Sequence, residues 1–188
     1  MLRIVAGRWG GRRLLAPAGH ATRLTSERVR EALFSILGSP APDTWVLDLC
    51  AGAGGLAFEA LSRGAAGAVV VDVSVAAART MRDNARSLGV EAAFHVVQAD
   101  AVAALDRLPR TPPFRWAFAD PPYKGDLGRR LLDALGRRMP LTEDAVVVVE
   151  HDRRNSPLDR HGSLIRTDRR RYGDTEVSLY RIQREDQR

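Results

Sequence analysis

The segment Asp120-Pro121-Pro122-Tyr123 carries groups suited to holding a planar amine. It follows the apolar run 116–119, which is typical of a strand that ends there. An ionised aspartate only accepts hydrogen bonds, and proline has a carbonyl but no N–H, so the segment offers acceptors with little competing donation. Such acceptors make the amine of a nucleobase more nucleophilic, while the aromatic ring stacks on the base. These four residues are the predicted catalytic residues; the alternative is a proline-rich turn capped by its aspartate.

A glycine-rich turn after an earlier apolar run predicts a nucleotide-like ligand. Asp48 lies in a strand pattern, and Gly52 and Gly54 follow it before a helical pattern begins. Read generously, Gly52-x-Gly54-x-x-Ala57 with Asp72 downstream matches the dinucleotide-binding pattern. Asp48 argues against that ligand, because a carboxylate beside the turn repels a pyrophosphate and attracts a sulfonium and an α-ammonium group. S-adenosylmethionine carries both of these cations, and the sequence therefore predicts it as the cofactor.

Two further acids follow the next two strand patterns. We expect Asp72 to accept hydrogen bonds from ribose hydroxyl groups, and Asp100, with Ala101 beside it, to contact the adenine. Each acid also has a local interpretation, with Asp48 capping the loop and the other two capping the helices that follow them. The glycine turn, the three acids and the later Asp-Pro-Pro-Tyr segment together favour a site for a methyl donor.

The elements that must position these residues follow from the hydrophobic pattern. Short apolar runs bounded by glycine or acids predict strands, and apolar spacing of 3.6 residues predicts helices. The predicted strands cover residues 45–49, 68–71, 93–97, 115–119 and 145–150. The predicted helices cover residues 26–37, 56–63, 75–88, 101–108 and 127–138. The alternation predicts an α/β fold with a doubly wound, mostly parallel sheet, in which ligands bind beyond the carboxyl ends of the strands. Residues 164–166 and 177–182 predict a C-terminal antiparallel hairpin that closes this sheet.

The composition favours one domain without a metal or a membrane segment. The chain has 188 residues, one cysteine and four histidines, and the cysteine and histidines show no metal-ligand spacing. No apolar run approaches the ~20 residues of a membrane span, and the N-terminus lacks the layout of a signal peptide. We therefore expect a cytoplasmic monomer.

The positive charge is concentrated at the two ends of the chain. The formal net charge is +6, and residues 1–24 contain five arginines and no acid, while the segment 153–188 is also rich in arginine. Two short apolar-polar runs, 2–6 and 12–16, flank a glycine-rich turn and predict a β-hairpin. Basic segments of this kind suit contact with a nucleic acid, although many are only solvated surface. The predicted RNA-binding residues are Arg3, Arg8, Trp9, Arg12, Arg13 and Arg23.

Taken together, the stretch from Arg3 through Arg23 to Phe34, residues 48–65 and residues 120–123 resemble the RsmD family. The resemblance covers most of the chain. It implies a Rossmann-like class I methyltransferase domain at residues 25–188 and an N-terminal hairpin extension at residues 1–24 that contacts the ribosome. It also implies methyl transfer from S-adenosylmethionine to the N2 amine of one guanine in 16S rRNA, with the small ribosomal subunit as partner.

Three positions depart from the family pattern. Leu24 stands where the family commonly has proline, Cys50 where it has an aromatic residue, and Ser74 where it often has aspartate. Cys50 suits packing within the loop better than the nucleophile that methylation of a pyrimidine carbon needs. The departures affect the adenosine contacts expected near Ser74 and leave the predicted reaction unchanged.

Other functions fit part of the sequence. An adenine-N6 DNA or RNA methyltransferase uses the same tetrapeptide, which does not identify the base, although such DNA enzymes usually add a larger recognition domain. A non-catalytic RNA-binding module explains the basic ends but not the acids at the strand ends. A nicotinamide-dependent oxidoreductase fits the glycine turn but not Asp48. A ribose 2′-O-methyltransferase with two catalytic lysines is excluded, because Lys124 is the single lysine of the chain.

Overall fold

The computed structural model describes residues 2–17, 27–123, 125–138 and 140–183. Within these residues it contains ten strands and five α-helices. The strands are β1 (Leu2–Arg3), β2 (Arg13–Leu14), β3 (Trp45–Leu49), β4 (Gly67–Asp72), β5 (Phe94–Gln98), β6 (Phe114–Ala119), β7 (Leu141–Asp152), β8 (Arg160–His161), β9 (Leu164–Tyr172) and β10 (Thr175–Ile182). The helices are α1 (Glu27–Leu37), α2 (Gly55–Ser62), α3 (Val75–Leu88), α4 (Ala101–Ala104) and α5 (Leu127–Arg138). The predicted start of the first helix at Ser26 lies outside the described residues.

The main sheet has the strand order β5-β4-β3-β6-β7-β10-β9-β8. Strands β3 to β7 pair in parallel, and β7, β10, β9 and β8 pair antiparallel. The chain winds outward from β3 to β5 in one direction and from β6 to β7 in the other, so the order reverses between β3 and β6. Ligands of doubly wound sheets bind at this reversal, beyond the carboxyl ends of the strands. The reversal therefore brings the end of β3 beside the end of β6.

Two hydrophobic clusters cover the two faces of the sheet. Helices α1, α2 and α3 pack on one face, against a cluster that includes Val46, Phe58 and Phe118. Helices α4 and α5 pack on the other face, against a cluster that includes Leu47, Val147 and Leu135. The strands are buried on both sides because their sequences are almost entirely apolar, as expected for parallel strands. The predicted doubly wound α/β fold with its C-terminal antiparallel hairpin is confirmed.

Some predicted boundaries differ from the structure. Helix α4 ends at Ala104 rather than Leu108, because the last turns tighten: the N–H of Leu105 bonds to Val102 and that of Arg107 to Ala104. Such i to i−3 bonds are typical of the end of a helix, and Pro109 cannot continue it. Strand β7 is longer than predicted, because it pairs with β6 from Leu141 onward and with β10 as far as Asp152. Strand β9 is longer because it pairs with β10 as far as Tyr172.

The N-terminal hairpin is docked on α2. Its strands are two residues long instead of five, since the N–H groups of Val5 and Ala6 donate to the carboxylate of Glu59 at 2.7 and 3.0 Å rather than to a strand. Glu59 is fully buried. Gly7 has φ +84°, and a Cβ there would lie 2.0 Å from the carbonyl oxygen of Ser62. The backbone of the turn thus packs directly on the last residue of α2, and Leu2, Ile4 and Leu14 join the core.

No helix in the described ranges is long and apolar enough to cross a membrane.

Candidate functional site

A cavity of about 590 Å³ opens at the carboxyl ends of the parallel strands. Its walls come from the loops after β3, β4, β5 and β6, together with the N-terminal segment, α1 and the first turns of α2 and α5. Of the site residues predicted from the sequence, those that line the cavity are Asp48, Gly52, Asp72, Asp100, Ala101, Asp120, Pro121, Pro122 and Tyr123. Gly54 is not among the lining residues, because its α-carbon faces the ring of Phe58 in the core. The structure therefore brings the acids that follow four successive strands, and the Asp-Pro-Pro-Tyr segment, to one cavity.

Asp48 is the most buried acid of the site. Only 2% of its surface is exposed, and its Oδ2 accepts a hydrogen bond of 3.3 Å from the N–H of Ala57. Burial raises the pKa of this carboxyl to about 8, and repulsion from Asp120 and Asp72 adds to the shift, whereas the bond from Ala57 opposes it. Without a cation in the cavity, Asp48 therefore holds a proton at neutral pH. A bound cation favours its ionised form.

The turn after β3 follows left-handed backbone conformations. Gly52 has φ +57°, Gly54 has φ +78°, and Cys50 has φ +64° although it has a side chain. Asp72 ties this turn to β4, because its Oδ2 accepts from the N–H of Gly52 and its Oδ1 from the N–H of Ser74, both at 2.8 Å. Burial and the neighbouring acids raise the pKa of Cys50 to about 12. A thiol that keeps its proton at neutral pH is a poor nucleophile, which agrees with a packing residue.

The helix-capping alternatives are visible in the structure. Asp100 caps α4, since its Oδ1 accepts from the N–H groups of Val102 and Ala103, each at 3.0 Å. Ser74 caps α3 by accepting from the N–H of Ala77 at 3.3 Å. Asp100 nevertheless lines the cavity. Capping fixes its position and leaves Oδ2 available for a ligand.

Asp120 stands directly beside the end of β3. Its N–H donates to the carbonyl of Leu49 at 3.3 Å, which continues the pairing of β6 with β3 by one residue. Pro121 is buried against the start of α5, and a Cβ at Gly128 would lie 3.4 Å from its ring. The carboxylate therefore follows a strand that is fixed on both sides.

Tyr123 is held by two strands that the sequence did not connect with it. Its hydroxyl donates to Oε1 of Glu150 at 2.6 Å and lies 2.9 Å from Oγ1 of Thr175. The side chain of Asn155 donates to the carbonyl groups of Tyr123 and Gly125. Burial and the bond to Glu150 raise the pKa of the phenol, so that it stays protonated and donates. The ring is thus oriented by the protein itself.

These supporting residues were missed in the sequence for different reasons. Glu150 is the last residue of the predicted strand 145–150, and Asp48 likewise lies near the end of the predicted strand 45–49, so that position could have identified Glu150. Thr175 and Asn155 carry no such signal. They approach Tyr123 only because β10 pairs with β7 and a short 3₁₀ turn, Arg153–Asn155, follows β7.

A buried arginine also lines the cavity. Arg30 of α1 is 2% exposed and lies near Gly55, the first residue of α2. Among the described residues that line the cavity, it is the only basic one. Its sequence signal is weak, because an arginine between Val29 and Glu31 in a helix ordinarily faces solvent.

The described arginines of the N-terminal hairpin contact α1, α2 and α3. Arg3 pairs with Glu27 at 2.9 Å, and Nη2 of Arg12 donates to the carbonyl of Ser87 at 2.8 Å. The guanidinium of Arg8 lies 3.8 Å from the ring centre of Trp9. The backbone of both Arg8 and Trp9 is bonded to Ser62, the last residue of α2. An eight-residue helix rises about 12 Å, so these two residues lie at the opposite end of α2 from the cavity.

Of the other expected residues, Arg13 is exposed, and Arg23 lies outside the described residues. Within the described ranges, no three His, Cys, Asp or Glu side chains are grouped to hold a metal ion.

Comparison with known proteins identifies the family. The model of the family described as Conserved hypothetical protein 95 matches residues 2–181. Ribosomal RNA small subunit methyltransferase D of Escherichia coli strain K12 is 34% identical over 154 residues, which are 82% of this chain and 76% of that protein. The chain belongs to the RsmD family.

Two further similar proteins align over nearly the whole chain. YlbH of Bacillus subtilis strain 168 is 37% identical over 181 residues, 96% of this chain and 98% of that one. The solved structure of yhhF from Escherichia coli has a TM-score of 0.83 at 29% identity and covers 98% of this chain and 99% of its own. This RsmD family member has the Rossmann-like class I methyltransferase fold predicted from its sequence.

Proposed function

We propose that this RsmD family member transfers a methyl group from S-adenosylmethionine to the N2 amine of a guanine in 16S rRNA of the small ribosomal subunit. The observation that carries the proposal is the convergence of Asp48, Asp72 and Asp100 with the Asp120–Tyr123 segment around one cavity. The printed name of the Escherichia coli relative, a small subunit rRNA methyltransferase, supports the class of substrate.

The residues of the cavity fit the cofactor. A volume of about 590 Å³ falls in the usual range for small-molecule sites, roughly 300–1,000 Å³. Asp48 faces a cation, Asp72 and Asp100 accept from hydroxyl and amine groups, and Ala101 lies beside the second of these. Gly52 lets the backbone approach the ligand closely, whereas Gly54 is required by its positive φ and by the close approach of the Phe58 ring. When bound, S-adenosylmethionine supplies a methyl group made electrophilic by its sulfonium.

The Asp120–Tyr123 segment positions the amine that accepts the methyl group. The carboxylate of Asp120 and the carbonyl of Pro121 accept its two N–H bonds, which directs the nitrogen lone pair out of the base plane. Asp120 also stabilises the positive charge that develops on the nitrogen. Pro122 adds no competing N–H.

Tyr123 supports the base. We assign its ring to stacking against the splayed-out guanine. Because Glu150 and Thr175 already hold its hydroxyl, little conformational entropy is lost when the base binds.

The rRNA contacts of the N-terminal segment stay a prediction. Residues 1–24 are the proposed contact extension, residues 25–188 the proposed methyltransferase domain, and Arg3, Arg8, Trp9, Arg12, Arg13 and Arg23 the proposed contacts. The exposed guanidinium of Arg13 can contact phosphates without breaking an interaction in the protein. Since bacterial ribosomes are assembled in the cytoplasm, the proposal places the enzyme there, acting as a monomer.

The test uses small subunits from bacteria that lack the gene for this protein. Purified protein and radiolabelled S-adenosylmethionine should label the 16S rRNA at one guanine N2, mapped by nuclease digestion and mass spectrometry. Asp120→Asn should lower the rate on the order of 100-fold or more, as loss of a transition-state hydrogen bond does. Asp83→Asn, on the exposed side of α3, is the matched control and should act like the wild type. Label on adenine N6, or no label, would refute the proposed reaction.

A further inference from the structure

Arg30 is an unusual residue in the core because no described residue forms an ion pair with its buried guanidinium. Its guanidinium carries five N–H donors, and its hydrogen bond within the described residues runs from Nη2 to the carbonyl of Arg3 at 2.6 Å. Nε is buried and has no hydrogen-bond partner there. A buried cation without a counter-ion is strongly unfavourable. A purely structural role, holding β1, uses one donor of the five.

The acids nearest to Arg30 are engaged elsewhere. Glu27 pairs with Arg3 at 2.9 Å, and Glu59 pairs with Arg63 at 2.8 Å while it also binds the backbone of the N-terminal hairpin. Both acids act on Arg30 only through longer-range attraction, and burial outweighs them, so that the pKa of its guanidinium is lowered. No acid of the described residues forms an ion pair with it.

The position of Arg30 indicates what its partner is. A Cβ at Gly55 would lie 3.0 Å from Nη1 of Arg30, so the glycine leaves room for the guanidinium beside the start of α2. The first N–H groups of a helix have no acceptor within the helix and attract anions. Nη1 of Arg30 and the N-terminus of α2 therefore meet at the wall of the cavity, and the neighbouring Nε of the same guanidinium has no hydrogen-bond partner among the described residues.

Asp48 contacts the same turn of α2. It accepts from the N–H of Ala57, two residues after Gly55. The first turn of α2 is thus flanked by a carboxylate that favours a cation and by a guanidinium that favours an anion. An α-amino acid group carries an ammonium and a carboxylate on one carbon, and it matches this pair of opposite charges.

We propose that Arg30 binds the α-carboxylate of the methionine part of S-adenosylmethionine, with the N-terminus of α2 beside it and Asp48 facing the α-ammonium group. This assignment rests on the proposed function, because it takes S-adenosylmethionine as the ligand of the cavity. Arg30 is then a binding residue that fixes the end of the cofactor remote from the adenine. Its role as a clamp on β1 continues, since a different nitrogen bonds to Arg3.

The decisive probe is decarboxylated S-adenosylmethionine, which lacks the carboxylate and keeps both cations. Isothermal titration calorimetry with the wild-type chain should show that S-adenosylmethionine binds on the order of 10- to 100-fold more tightly than this analogue, the usual contribution of hydrogen bonds to a charged group. Equal binding of the two would overturn the role of Arg30 and leave the cofactor assignment standing. Binding of neither would instead overturn the proposed function.

Variants of Arg30 then test whether this residue causes the preference for the ligand that has a carboxylate. Arg30→Gln should weaken the binding of S-adenosylmethionine by the same 10- to 100-fold. It should change the affinity for the decarboxylated analogue by no more than about twofold, because that ligand has no group for the guanidinium to bind. A merely structural loss would weaken both ligands alike, and that outcome would overturn the proposal. Arg28→Gln, an exposed arginine on the same helix, is the matched control and should change neither affinity. If the glutamine variant does not fold, Arg30→Lys serves, and it must keep a reduced preference for the carboxylate.

Discussion

Replacing Asp48 by asparagine should stabilise the folded protein while it removes the proposed cofactor affinity. The side chain is 2% exposed, and burial raises its pKa to about 8 in the fold against 3.8 for an aspartate in water. At pH 7 the folded chain therefore keeps a proton that the unfolded chain has lost. At roughly 1.4 kcal/mol per pH unit above 3.8, this difference lowers the free energy of unfolding by about 4 kcal/mol at pH 7.

The sign and the pH range follow from linkage. Because the folded state binds the proton more tightly than the unfolded state, Asp48 causes stability to fall as pH rises from about 4 to about 8, and the effect is constant above that. Asparagine does not titrate and keeps an acceptor for the N–H of Ala57. Its amide N–H groups add a cost of about 1–3 kcal/mol if they stay unpaired, but that cost does not change with pH.

The assay is urea unfolding of the ligand-free wild type and of Asp48→Asn at pH 5, 6 and 7, followed by circular dichroism. The stability of the variant relative to the wild type should rise by about 1.4 kcal/mol for each pH unit. In a domain of this size, the total of about 4 kcal/mol at pH 7 corresponds to roughly 8–16 °C in melting temperature before the amide cost is subtracted. Titrating groups that do not interact with Asp48 cancel in the comparison. A difference that stays constant with pH would refute the reasoning. A gain in stability with a loss of binding is the usual trade-off at a functional site.

Three further predictions follow from the site and the hairpin. Affinity for S-adenosylmethionine should rise up to about tenfold per pH unit between pH 6 and 8 and level off above pH 8, since the cation requires ionised Asp48. Calorimetry in buffers of different ionisation heat should detect proton release on binding. An affinity independent of pH would contradict the assignment. Glu150→Gln removes the charged acceptor of the Tyr123 hydroxyl. It should lower kcat on small subunits on the order of 10-fold and leave the affinity for S-adenosylmethionine unchanged. An unaltered kcat would show that the orientation of the ring does not matter. Gly7→Ala should lower the free energy of unfolding by about 2 kcal/mol or more beyond the loss caused by Gly11→Ala. Both glycines have positive φ, but of the two only Gly7 would place a Cβ against the Ser62 carbonyl. Equal losses in urea unfolding would mean that the hairpin is not docked as described.

Most of the fold could be predicted because its signals are local. Strand β3 and helices α3 and α5 begin and end at the predicted residues, since apolar periodicity and capping residues act within a few positions of one another. The end of α4 and the lengths of β7 and β9 could not be predicted in the same way. They depend on a tightened turn and on pairing with β6 and β10, which local periodicity does not record.

Part of the candidate site could likewise be predicted from local sequence, and part could not. The placement of Asp48, Asp72, Asp100 and Asp120 at one cavity follows from their positions after parallel strands, because the carboxyl ends of such strands meet at one edge. Glu150 and Thr175, by contrast, lie 27 and 52 residues from Tyr123 along the chain. Their contact required the antiparallel return of β10 beside β7.

By itself the sequence determined which chemical groups stand at the strand ends: carboxylates, a flexible glycine turn, and an acceptor-rich segment with an aromatic ring. Only the tertiary structure decided how those groups behave. The pKa of Asp48, the fixed hydroxyl of Tyr123 and the buried charge of Arg30 all arise from burial and from neighbours distant in the chain. The physical reason is that residue type sets what a group can do, whereas desolvation and long-range contacts set its charge, its orientation and its need for a partner.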